Sequence, residues 1–133
     1  MSERPLAIVP AWRWWTGLLL VGAVAVYLSS LAYAEGLPHV FRVIPQFDKV
    51  VHFTVAGLLA SFLDGALGRR VLFGGSRLAV PLGAVLILVP AGIEEYLQRY
   101  STYRTSSIWD FAADLAGVVV LVTLSRRALA QAV

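Results

Sequence analysis

The chain has 133 residues, 59% of them hydrophobic and only 14% charged, and its mean hydropathy is +0.75. About a quarter of a soluble domain is charged, so the composition excludes an ordinary soluble globule and points to one integral membrane domain. The net charge of +3 does not mark a nucleic-acid binder, because the basic residues stand in ones and twos between apolar runs, as membrane-protein loop charges do; cysteine is absent, which excludes thiolate chemistry.

A helix needs roughly 20 apolar residues to cross the hydrocarbon core, and four runs qualify. The first span is predicted over residues 14–34, where no charge occurs. "LAYAE" places Ala32 and Ala34 like a signal-cleavage site, with Arg4 and Arg13 before it. The apolar run exceeds the roughly 7–15 residues of a signal h-region, so the span is expected to be retained. The second span, 48–68, carries His52 near its start and Asp64 near its end. Asp48 suits its N-cap, and Arg69 or Arg70 is the expected partner of Asp64. The third, 78–98, contains Pro90 and Gly92 just before Glu94 and Glu95, which predicts a bend there. The fourth, 107–125, opens on "SIWD", Ser107 to Asp110, with capping-box spacing. Ala113 and Gly117 lie four apart and predict close helix packing. Trp12, Trp14, Trp15 and Trp109 read as interfacial belts.

The runs outlast a strand and show no alternation. Open sheet edges are unsatisfied in lipid, and four strands cannot close a membrane barrel. The predicted fold is therefore all-α: one domain over 1–133, a bundle of four transmembrane helices. Orientation follows the loop cations. With the N-terminus inside, Arg4, Arg13, Arg69, Arg70, Arg77, Arg126 and Arg127 face inward, against Arg42, Lys49, Arg99 and Arg104 outside. The expected topology is N-in, C-in.

That topology gathers the polar residues at one membrane face. "EEYLQRYSTYRTSSIWDFAAD" holds four acids, two arginines and three tyrosines between two apolar segments. It forms the outer ends of spans three and four, and "DKVVHF" is the outer end of span two. Asp48 and His52, and Asp110 and Asp114, are i,i+4 pairs, so each pair shares a helix face. Gln98 follows Glu94 by four and Glu95 by three. Lys49 at a helix N-terminus and Glu94 and Glu95 at a C-terminus each oppose the helix dipole, at a cost of about 0.3–1 kcal/mol. Lys49 paired with Glu94 or Glu95 would cancel both penalties. Ionisable groups at the depth of His52 and Asp114 are functional candidates by default. His52, Glu95, Asp110 and Asp114 are candidate ligands for a divalent metal, although HExxH spacing is absent. Lys49 and Arg104 could hold an anion. No P-loop, nucleophile elbow or dinucleotide fingerprint occurs, so no organic cofactor is expected.

Together these motifs resemble the VanZ-like family of small bacterial membrane proteins, over about residues 48–120. The family pattern of Lys-x-x-His-Phe falls on Lys49, His52 and Phe53. Its Glu-x-x-Gln falls on Glu95 and Gln98, its Arg with following hydroxyls on Arg104, Ser106 and Ser107, and its Asp-x-x-x-Asn-x-x-Gly on Asp110, Asp114 and Gly117. The order and combination carry the resemblance, since each piece alone is weak. The chain departs from the pattern at Asp114, where the family usually has Asn; the acid adds charge to an already acidic cluster, so the family's job is not assumed to carry over unchanged. The resemblance implies a multi-pass protein of the bacterial cytoplasmic membrane. It also implies a link to teicoplanin resistance or to envelope and exopolysaccharide functions, with no established reaction.

Three functions fit. In the first, a polar cluster of Lys49, His52, Glu95, Gln98, Arg104, Ser106, Asp110 and Asp114 binds a lipid headgroup, a lipid-linked sugar or glycan, or a lipidated glycopeptide. In the second, a metal-assisted hydrolase or transferase acts on a lipid carrier with His52 as ligand or base. In the third, the cluster is a polar staple in a subunit of an envelope complex or homo-oligomer. A transporter fits less well, since no charge marks the midplane.

Overall fold

The computed structural model describes residues 9–34, 36–74, 79–103 and 106–131. Within them the chain forms α1 (Ala11–Tyr33), the single turn α2 (Val40–Val43), α3 (Phe47–Ala66), α4 (Leu82–Leu97), a 3-10 turn over Gln98–Tyr100, and α5 (Ile108–Gln131). Two short strands, β1 (Val71–Leu72) and β2 (Val80–Pro81), pair antiparallel between α3 and α4. By length and composition, α1, α3 and α5 can each cross a membrane. α4 has 16 residues, about 24 Å of helix at 1.5 Å per residue.

The ends differ from expectation for local reasons. α1 starts at Ala11 because Pro10, which lacks an N–H, holds the extended N-cap position. Asp48 is not the N-cap of α3. Gln46 takes that place with a left-handed φ of 62°, and Asp48 lies in the first turn. At the other end, Gly68 at φ +67° and Arg69 at φ 58° reverse the chain. The third span was expected from residue 78. Instead β2 occupies its start, and the N–H of Leu82 donates to the carbonyl of Arg70 at 2.9 Å. α4 then continues through Pro90 and Gly92 to Leu97. α5 outruns its expected end at 125, because Arg126 to Gln131 is rich in good helix formers.

α3 is the central helix and packs against α1, α4 and α5. Its contact with α5 is backbone to backbone. A Cβ on Gly117 would collide with the carbonyl of Phe53, and one on Gly57 would lie 2.5 Å from the carbonyl oxygen of Gly117. The close packing expected at Gly117 is thus present, against α3. Ala56, Ala60, Ala84, Val118 and Val122 make the buried apolar core around this contact. Of the expected aromatic belts, Trp12 and Trp109 are exposed, whereas Trp14 turns inward against Phe62, ring centroids 6.3 Å apart.

Asp64 departs from its expected pairing with Arg69 or Arg70. Its partner is Arg126 of α5, which donates from Nε at 2.8 Å and from Nη2 at 2.6 Å. The same Nη2 also donates to the carbonyl of Arg69 at 3.1 Å. α3 and α5 run parallel, so their C-terminal ends meet, while the left-handed turn carries Arg69 away to lie over the ring of Trp14.

Candidate functional site

The N-terminal ends of α3 and α5 and the C-terminal end of α4 converge at the end of the bundle away from Asp64. Parallel packing sets two rungs between α3 and α5. Lys49 Nζ lies 3.1 Å from Asp110 Oδ1, and His52 Nδ1 donates to Asp114 Oδ1 at 3.0 Å. Lys49 and His52 are one turn apart on α3, and Asp110 and Asp114 one turn apart on α5, so one register satisfies both. Asp110 and Asp114 are buried, which makes their partners a requirement of the fold.

The expected pairing of Lys49 with Glu94 or Glu95 is corrected. Lys49 is held by Asp110 and by its neighbour Asp48, also at 3.1 Å, because its helix face meets α5. Both α4 acids are engaged elsewhere. Glu94 accepts from Tyr33 of α1 at 3.1 Å and from Gln98 Nε2 at 2.5 Å. Glu95 accepts from the backbone N–H of Ser107, just before α5 begins. That corrects the capping-box expectation as well. The acid that reaches back to the Ser107 N–H comes from α4, which frees Asp110 to face Lys49.

The carboxylates outnumber the donors available to them. Among the described residues, Glu95 Oε2 and Gln98 Oε1 are buried with no hydrogen-bond partner, and Gln98 is fully buried; Asp110 Oδ1 is met by the Lys49 ammonium as an ion pair without hydrogen-bond geometry. An unmet buried acceptor costs about 1–3 kcal/mol. Ser106 is half-buried on the approach to α5. Arg104, together with Arg4 and Arg77 of the orientation argument, lies outside the described residues. The four candidate metal ligands do not converge. His52 pairs with Asp114, Glu95 caps α5 and Asp110 holds Lys49; among the described residues no group of three or more His, Asp or Glu side chains could hold a metal ion.

Beside this cluster lies a cavity of about 470 Å³. It occupies the gap between α1 and α4, with α3 as its floor. Ala25, Leu28, Val55, Leu59 and Ile87 form apolar walls, and Asp48, His52, Glu94 and Asp114 line it as well. The shape suits an amphiphile: an apolar groove with a few convergent polar groups is the usual form of a ligand site. His52, oriented by the buried Asp114, also has the arrangement of an acid–base group at a cavity wall.

Sequence reasoning missed Tyr33 and gave Glu94 only a pairing role. The available signal was their shared position at the same end of spans one and three. The groove had no signal, since it is a gap between helices that are not adjacent in sequence. No family model, curated protein or solved structure matches the chain.

Proposed function

We propose that this is a VanZ-like envelope protein of the bacterial cytoplasmic membrane that holds an amphiphile. The apolar tail lies in the groove between α1 and α4, and the headgroup meets the polar cluster at its end. The cavity carries this reading, because it joins apolar walls on three helices to Asp48, His52, Glu94 and Asp114. A lipid, a lipid-linked glycan or a lipidated glycopeptide has the required form, and antibiotic resistance or envelope assembly would be the setting. In this reading α4 is a fourth, short span, lengthened by its 3-10 turn. The excess of loop arginines on the side of the termini supports a topology with both termini inside. A C-terminal reporter active only outside would refute that topology.

The test is the lipid and metal content of the detergent-purified chain beside His52→Ala. A stoichiometric amphiphile without metal, reduced in the variant, is the expected result. A folded, lipid-free wild type would overturn the proposal. A second reading, chemistry on a lipid carrier, is favoured by the His52–Asp114 pair at the cavity wall. Stoichiometric metal lost in His52→Ala would move the assignment to a metal-assisted hydrolase or transferase. The polar-staple reading predicts only lowered stability in that variant.

A further inference from the structure

We propose that the amphiphile is a bilayer phospholipid whose headgroup carries a primary ammonium, and that this ammonium is bound by the carboxylates at the groove's polar end. The inference rests on the amphiphile-binding reading and adds the sign of the headgroup charge. Its first ground is the charge at the cavity wall. Asp48, Glu94 and Asp114 line the cavity beside His52, and neither lysine nor arginine does among the described residues.

The second ground is the charge balance of the whole cluster. Asp48, Glu94, Glu95, Asp110 and Asp114 supply five carboxylates. Lys49 is already shared between two of them. Even with Arg104 added, five acids face two cations, which leaves −3, or −2 with His52 protonated. Arg42 and Arg99 are exposed, and neither lines the cavity. Tyr33 and Gln98 donate neutral O–H and N–H groups to Glu94. Carboxylates in excess at a membrane-embedded site favour a cationic group set directly against them.

The third ground is the acceptor excess. Besides the three carboxylates, Ser29 and His52 are the only polar side chains that line the cavity among the described residues, so its lining is richer in acceptors than in N–H and O–H groups. An ammonium brings a positive charge and three donors, and its bonds to carboxylates are charge-assisted. An anionic headgroup would bring more acceptors and more negative charge. The occupant can come from the bilayer, since Val26 lines the groove and is 71% exposed on the flank of the bundle.

The experiment uses the full chain purified in a neutral detergent. Native mass spectrometry counts bound phosphatidylethanolamine, phosphatidylcholine and phosphatidylglycerol with identical acyl chains, each offered alone. Phosphatidylethanolamine should be retained roughly tenfold more than phosphatidylglycerol, with phosphatidylcholine, which has no N–H, between them. Asp48→Asn, at a half-exposed position, should reduce that preference. Ala25→Phe and Ala91→Phe, which fill the groove from two different helices and replace no carboxylate, should release all three lipids. Preference for phosphatidylglycerol overturns the inference. Equal retention of the three, lost on filling the groove, sinks the headgroup assignment and leaves amphiphile binding standing. No retention of any lipid sinks both.

Discussion

Replacing Arg126 with methionine should destabilise the bundle more than a substitution near a helix terminus ordinarily does. Its guanidinium bonds both oxygens of Asp64 at 2.6 and 2.8 Å and the carbonyl of Arg69 at 3.1 Å. Asp64 is 2% exposed, so methionine leaves a buried carboxylate without its counter-ion. Breaking a buried pair in this way costs about 3–5 kcal/mol. The Arg126 side chain is 28% exposed, so water already screens part of the attraction, and the expected loss is near the low end, about 3 kcal/mol. Adding Asp64→Asn removes the stranded charge and leaves a buried amide, a smaller penalty of about 1–2 kcal/mol. The double variant should therefore be more stable than Arg126→Met alone. Equilibrium unfolding in mixed micelles, followed by circular dichroism, measures both. A single variant within about 0.5 kcal/mol of wild type, or a double variant that merely adds two losses, would refute a buried, mutually dependent pair.

Other substitutions probe the remaining contacts. Gly117→Leu forces α3 and α5 apart where their backbones touch and should cost about 3 kcal/mol or more, read from the same unfolding curve; unchanged stability would mean the helices are not in contact there. Glu95→Gln keeps an acceptor for the Ser107 N–H, whereas Glu95→Ala removes it, so only the alanine variant should raise protease sensitivity between α4 and α5, by about 1 kcal/mol of cap stability. Lys49→Met strands Asp110 and should cost about 2–3 kcal/mol, largely recovered by adding Asp110→Asn; no recovery would exclude their pairing. Asp114→Asn preserves an acceptor for the His52 Nδ1–H, so it should lower stability less than Asp114→Leu, with the His52 ring resonances in nuclear magnetic resonance reporting whether the bond survives.

The membrane character and the helical class were legible in the sequence because both depend on local composition. Hydrocarbon cannot satisfy a bare backbone, so four long apolar runs without alternation have few alternatives to helix. The one-sided polarity was legible for the same reason. Asp48, Lys49, Glu94, Glu95 and Asp110 stand near run boundaries, with His52 and Asp114 one and two turns further in, and their spacing fixes which of them share a helix face.

Partner choice was not legible. The sequence pointed to Lys49 with Glu94 or Glu95, Asp64 with Arg69 or Arg70, and Asp110 reaching back to Ser107. The structure pairs Lys49 with Asp110, Asp64 with Arg126, and Glu95 with the Ser107 N–H. Proximity in sequence and dipole arguments favoured the first set. The second follows from one tertiary fact, the parallel contact of α3 and α5 at Gly57 and Gly117. That contact sets a register shared by Lys49–Asp110, His52–Asp114 and Asp64–Arg126. Periodicity within a helix says which residues share a face, but not which neighbouring helix that face meets or at what height. The groove between α1 and α4 is likewise a product of tertiary packing, since its lining is drawn from α1, α3, α4 and α5.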